Sequence, residues 1–273
     1  MSVIRYQSPT EFLSATEDLR SAEIVKTNLI SSIANSVANG SRVYEAYYWW
    51  AVKEGDKTLG VAIRTAPYGY VFSEMPEAAI KMLIKEIQLV DPEVKEYSGP
   101  KPVINEIEKI LKIKPIESEG ELIYELHTLN AVAPQGNVRS GTEADYGLIF
   151  DWMKAFIEET GISTYNLEVI VKDAIKRGSY YLLEVEGKPV SLGGFSASVE
   201  TLGKKVGRVG PIFTPIEFRK RGYATVITSY LTRMRISEGA IPTLYTQVDN
   251  PISNKIYQNL GYELVDEIRR IKF

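Results

Sequence analysis

The stretch Phe218 to Leu231, "FRKRGYATVITSYL", sets three cations and a glycine against what reads as the first turn of a helix. A loop that leaves a strand and opens a helix exposes N–H groups that no internal carbonyl accepts, and the helix dipole adds partial positive charge there. Such a turn is built for an anion. Gly222 allows positive φ and close approach of the backbone, and Ala224 keeps the next turn low. Arg219, Lys220 and Arg221 add charge for phosphate oxygens. A cationic triplet by itself is an ordinary solvated surface, so its surroundings must decide.

Two common anion loops are excluded. No two of the twenty glycines are spaced by two, which rules out the dinucleotide fingerprint G-x-G-x-x-G, and no G-x-x-x-x-G precedes Lys and Ser/Thr. Working outward, "KKVGRVGPIFT" before the turn reads as a strand, with Gly210-Pro211 as a bulge that re-aims the backbone. After the helix come a strand "TLYTQV", a helix "NPISNKIYQNLG" with Asn250-Pro251 at its start and Gly261 as its stop, and a strand "YELVDEIRRIKF". Upstream, "SYYLLEVEGKPVSLGGFSAS" reads as a hairpin turning at Glu186-Gly187-Lys188, and "NLEVIVKDAIKRG" as a helix. "TEADYGLIFDWMKAFIEE" reads as another helix, with Thr142 as cap and Leu148, Trp152, Ala155 and Phe156 as its apolar stripe.

The first half repeats this grammar. "YYWWAVKEGDKTLGVAIRT" matches the hairpin, "YVFSEMPEAAIKMLIKEI" matches "PIFTPIEFRKRGYATVITSYL", and "PVINEIE" (Pro102 to Glu108) matches "PISNKIY" (Pro251 to Tyr257). Val71 and Pro102 are 31 positions apart and Ile212 and Pro251 are 39 apart, so the eight missing residues fit the absence of "IEFRKRGY". At 273 residues two domains are the expectation, and "AVAPQGN", Ala131 to Asn137, is the natural boundary. The expected organisation is 1–133 and 137–273, with the charged glycine turn in the second alone.

Arg219-x-x-Gly222-x-Ala224 resembles the [QR]-x-x-G-x-[GA] pyrophosphate loop of the GNAT superfamily of acyl-CoA-dependent N-acyltransferases. "LYTQVDNPISNKIYQNLGYE" resembles that family's next strand and helix, including the Asn before the helix, the Tyr inside it and the closing "LGY". The resemblance covers 137–273 well; 1–133 match only the outline, with Glu108 where the second copy has Tyr257. It implies an α/β (α+β) fold of two GNAT-like units, each a mixed, mostly antiparallel sheet flanked by helices, with a splayed strand pair at the cofactor site.

The resemblance also implies roles. Backbone groups of Ile212, Phe213 and Thr214 would hold the pantetheine of acetyl-CoA; Arg219, Lys220, Arg221, Gly222, Tyr223, Ala224 and Thr225 would hold its pyrophosphate; Asn250 and Asn254 would reach the coenzyme arm. Tyr257 would be the general acid that protonates the leaving thiolate. Acceptor choice would fall to the region Glu158 to Thr164. The expected activity is direct acetyl transfer from acetyl-CoA to a primary amine, on a small molecule or a peptide, and the alternative is a non-catalytic acyl-CoA sensor or scaffold on the same fold. The resemblance leaves a homodimer open.

Composition agrees with that reading and narrows it. With no cysteine and a single histidine, His127, the chain offers no thiolate nucleophile, no Ser-His-Asp arrangement and no ordinary metal set, so no metal is expected. The net charge of −3 predicts neither a nucleic-acid nor a membrane partner. Residues 1–133 hold 14 Lys/Arg against 19 Asp/Glu and the remainder 18 against 16, so the turn lies in the more basic half. Lacking a secretion signal or a long apolar run, the sequence predicts a cytoplasmic protein.

Overall fold

The computed structural model describes residues 1–162 and 166–273. In chain order its elements are β1 (Ser2–Tyr6), α1 (Pro9–Ala15), α2 (Glu17–Ala22), α3 (Asn28–Ala38), β2 (Tyr47–Glu54), β3 (Lys57–Thr65), β4 (Tyr70–Phe72), α4 (Glu77–Val90), β5 (Glu96–Pro100), α5 (Lys101–Leu111) and β6 (Glu117–Leu126). There follow β7 (Asn137–Ser140), α6 (Tyr146–Thr160), α7 (Leu167–Lys176), β8 (Tyr180–Val185), β9 (Lys188–Phe195), β10 (Val199–Thr201), β11 (Lys204–Phe213), α8 (Tyr223–Ser237), β12 (Ile241–Gln247), α9 (Pro251–Leu260) and β13 (Tyr262–Lys272).

The chain forms two compact units that differ from a contiguous split at 131–137. One comprises Met1–Ile123 with Val199–Val206 and Leu264–Phe273, and the other Tyr124–Ser198 with Gly207–Glu263. The short strand β10, which the sequence reading did not foresee, and most of β13 thus belong with the N-terminal residues.

In the first unit the strand order is β1-β2-β3-β4-β5-β13, antiparallel except for the parallel pair β4–β5. Alternation along β2 explains its two cores. Trp49 and Ala51 enter one cluster with Phe12 and Ile30, while Trp50 and Val52 enter the other with Leu83, Ile84 and Ile104. Successive strand residues point to opposite faces, so a run of apolar residues signals a sheet covered on both sides. Ile271 of β13 is fully buried in the second of these clusters.

In the second unit the order is β7-β8-β9-β11-β12, with antiparallel pairs from β7 through β11. Leu182 and Leu192 face α6 and α7; Leu183 and Val190 face α8. The hairpin turns at Glu186 and Gly187 alone, both with positive φ, and Lys188 already begins β9. Thr142 opens a short 3-10 turn ahead of α6. The apolar stripe of α6 is also shifted by one residue from the expectation: Ile149 and Met153 are the buried pair, and Leu148, Trp152, Ala155 and Phe156 are half-buried around them. Arg139 on β7 fixes the start of this layer, donating to Asp145 at 2.7 and 2.8 Å and to Glu184 at 2.8 Å.

The matching strands β4 and β11 are each followed by a helix, but the connections differ. Four residues, 73–76, join β4 to α4, whereas nine, 214–222, join β11 to α8. Only part of the eight-residue difference therefore falls in the charged turn. The rest arises further on, where α5 follows β5 without a gap while three residues separate β12 from α9.

Candidate active site

The anion turn begins with the way β11 ends. Its register against β9 shifts between Val209 and Ile212, where Gly210 sits at φ +132°, so the expected bulge is present. Past the bulge the strand terminus is pinned from β9: Ser191 Oγ donates to the Phe213 carbonyl at 3.0 Å and lies 2.9 Å from Thr214 Oγ1. Arg219 Nε donates to the Thr214 carbonyl at 2.8 Å. Two of the carbonyls in the 212–214 set are thus already engaged, which the sequence reading did not anticipate.

The loop then turns back through a 3-10 segment, Ile216–Phe218, into Arg219. Lys220 (φ +63°) and Gly222 (φ +82°) both adopt left-handed backbone, and Gly222 is the N-cap of α8 with no side chain capping the helix. The first helical bond in the ladder joins the Val226 N–H to the Gly222 carbonyl, so the N–H groups of Tyr223, Ala224 and Thr225 are the first-turn donors left without a partner among the described residues. A Cβ at Gly222 would meet nothing nearer than Gln135 Oε1 at 4.0 Å, so the backbone there faces open space. Lys220 and Arg221 are exposed, and among the described residues neither forms an ion pair. Tyr223 contributes only its N–H: its ring is buried in the core with Leu183 and Ile227.

Arg219 is engaged by groups of the protein itself. Its Nη2 donates to both carboxylate oxygens of Glu159 in the last turn of α6, at 2.6 and 2.7 Å, and its guanidinium lies 5.9 Å from the Phe213 ring centre. The adjacent Thr160 carbonyl accepts a bond of 2.6 Å from Gln247 Nε2 at the end of β12. Neither Glu159 as a partner of Arg219 nor Gln247 as an anchor carried a sequence signal. Of the expected acceptor region, Ser163 and Thr164 lie outside the described residues.

Helix α8 lies tightly on β9, where a Cβ at Gly193 would come within 2.7 Å of Leu231. It also packs beside β12 and α9. In α9, Asn250 is a true N-cap, its Oδ1 accepting from the Ser253 N–H at 3.0 Å. Asn254 reaches back with Nδ2 toward the carbonyls of Gln247 and Val248, at 3.3 and 3.4 Å, and its buried Oδ1 has no partner among the described residues. An orphaned acceptor of this kind costs free energy unless a donor arrives. Tyr257 is buried in the same helix, edge-on to Tyr262 with ring centres 6.2 Å apart, and Tyr262 pairs with Thr232 of α8 at 2.7 Å. Burial pushes the Tyr257 phenol up to about 12, with a smaller opposing effect from the Ser253 hydroxyl. It stays protonated at any physiological pH.

The first unit lacks this chemistry. Its shorter turn, "SEMP", carries no cation, Pro76 caps α4, and the first turn holds Glu77. A cavity of about 360 Å³ beside it is lined by Glu74, Glu77 and Glu106 with Lys26, and Lys26 is already paired with Glu74 at 3.0 Å. Such a lining repels phosphates. Among the described residues no group of three or more His, Cys, Asp or Glu is placed to hold a metal ion, and no helix is long and apolar enough to cross a membrane.

Residues 195–271 match the family model of FR47-like proteins. No curated protein matches the sequence. Among solved structures, an acetyltransferase of the GNAT family from Colwellia psychrerythraea aligns over 100% of both chains at 13% identity with a TM-score of 0.70. A GCN5-related N-acetyltransferase from Sphaerobacter thermophilus aligns over 99% of this chain and 95% of its own, at 13% identity and TM-score 0.58. A tandem GNAT protein from the clavulanic acid biosynthesis pathway aligns over 99% and 98%, at 10% identity and TM-score 0.57. The chain has the GNAT fold in a tandem arrangement.

Proposed function

On a tandem GNAT fold, we propose that this chain transfers an acetyl group from acetyl-CoA directly to a primary amine of a small molecule or peptide, using the second unit alone. The observation that carries the reading is the start of α8: a left-handed glycine cap, three unpaired first-turn N–H groups, and exposed Lys220 and Arg221 beside them. The turn supplies donors and charge to a diphosphate without spending a buried side chain on it. The unpaired Asn254 Oδ1 and the backbone groups of Ile212 to Thr214 that remain open would meet the pantetheine amides. Asn250 would serve by fixing the start of α9 rather than by touching the coenzyme.

For the reaction itself the fold need only align amine and thioester, stabilise the oxyanion and manage two protons. Tyr257, held protonated by burial, is the proton donor for the departing thiolate in this reading. The first unit is then the diverged copy, its turn shortened and its cleft acidic.

One observation favours a second reading, a non-catalytic acyl-CoA sensor: the Tyr257 ring is buried against Tyr262 and its hydroxyl is met by Ser253, as a packing residue would be. Calorimetry with acetyl-CoA, followed by a thiol assay for coenzyme A release with a pooled panel of amines, separates the two. Binding with amine-dependent release supports the transferase; binding without release supports the sensor; no binding refutes both.

A further inference from the structure

We propose that Glu159 is a positioning residue for the anion turn. Through Arg219 it clasps the end of α6 to the loop that follows β11, so that Arg219 is a strut of that loop and not a ligand of the phosphates. The effect on coenzyme A rests on the function proposed above; the clasp itself does not.

The geometry of the guanidinium carries the proposal. Its Nη2 serves both oxygens of Glu159, at 2.6 and 2.7 Å, and its Nε serves the Thr214 carbonyl at 2.8 Å, while its face lies over Phe213. The planar fork therefore spans two elements, α6 and the strand end, in a fixed orientation. Glu159 also stands where a carboxylate is locally unfavourable. It lies in the last turn of a helix that has no basic residue there, facing the negative end of the dipole. Arg219 removes that penalty. The next residue repeats the arrangement by backbone, since the Thr160 carbonyl is held by Gln247 at the end of β12. Two successive residues of α6 thus grip the ends of two different strands, β11 and β12, between which the proposed thioester would lie. A guanidinium already neutralised by a carboxylate adds little field at a diphosphate, leaving the charge to Lys220, Arg221 and the helix N-terminus.

A double-mutant cycle on the full chain tests this, with coenzyme A as the probe and Arg219→Gln, Glu159→Gln and the double variant compared. For a clasp, each single variant weakens binding by up to about fivefold, the upper end for an exposed pair, and the double variant is no weaker than either. The slope of log Kd against log salt stays at the wild-type value in Arg219→Gln but falls in Lys220→Gln, because only a cation facing the diphosphate contributes to screening. The proposal is overturned if Glu159→Gln binds coenzyme A as tightly as wild type, or more tightly, while Arg219→Gln loses more than tenfold and flattens the salt slope. Hydrogen exchange over residues 214–226 of the ligand-free protein decides the clasp independently. Faster exchange in both single variants supports it, and unchanged protection refutes it whether or not coenzyme A binds.

Discussion

Replacing Gly222 by alanine should destabilise the protein, although the new methyl group would touch nothing. A Cβ at this position has only Gln135 Oε1 near it, at 4.0 Å, so the steric contribution is nil. The whole penalty comes from φ +82°, a left-handed conformation that costs a non-glycine residue about 1–2 kcal/mol. Gly147 provides an internal control. It lies in the first turns of α6, also with nothing within 4 Å of its Cβ, but its φ is not positive. There the same substitution removes unfolded-state freedom and should stabilise by about 0.5–1 kcal/mol. The two alanines should therefore differ by about 1.5–3 kcal/mol with opposite signs, and Gly222→Asn should fall between Gly222→Ala and wild type because asparagine tolerates this region. Denaturant unfolding at constant m-value reads the difference. Coenzyme A affinity should follow the same order, since relief of the strain reorients the first-turn N–H groups. If Gly222→Ala proved as stable as wild type, the left-handed cap, and with it the geometric basis of the anion turn, would be refuted.

Tyr257→Phe should lower kcat by about 10²-fold, at the lower end of general-acid contributions, while the acetyl-CoA Kd stays within about threefold. An unchanged kcat with a stability loss of about 1 kcal/mol, the worth of one hydrogen bond, would instead assign the residue to packing. Titration calorimetry should give one acetyl-CoA site per chain, and two equivalent sites would contradict the acidic cleft of the first unit. Asp145 is held well below the usual carboxylate range, chiefly by its hydrogen bonds from Arg139. A depressed carboxyl pKa adds stability that is complete above its unfolded value of about 3.9 and is lost as pH falls through and below it. Arg139→Met should therefore be less stable near neutrality by about 1 kcal/mol, given the partial exposure of the pair, and should lose less on going from about pH 5 to about pH 2. Parallel acid profiles for the two proteins would show that the pair carries no such linkage.

Local rules carried the sequence reading a long way. Gly222, Pro251 and Gly261 act through their own backbone and Asn250 through a side chain that reaches only three residues on, and each stands where capping chemistry placed it. The bulge at Gly210 and the crossover from β11 through α8 to β12 are local in the same sense. What escaped was set by partners distant in sequence. Glu159 and Arg219 are sixty positions apart, and nothing in "IEET" announces which cation will meet it. Buried α6 residues fell one position off the expected stripe, because which side of the stripe meets the sheet is set by strands distant in sequence, a detail that apolar periodicity does not encode. The engagement of the Phe213 carbonyl was hidden likewise, since it depends on Ser191 of a neighbouring strand.

The membership of β13 bears on how this polypeptide is made. Its last ten residues complete a sheet begun at Ser2, pairing Tyr97 with Ile271 and Gly99 with Arg269. On the ribosome, everything up to Glu263 is synthesised before the first unit can acquire that strand, so its sheet stays incomplete while the residues of the second unit are made. Long-range pairing of this kind is slow to form, and until it does β5 presents an open edge to other nascent chains. Loss of Leu264–Phe273 would therefore injure the first unit rather than the second, and a cut within 131–137 would leave two fragments, neither of them holding a whole unit.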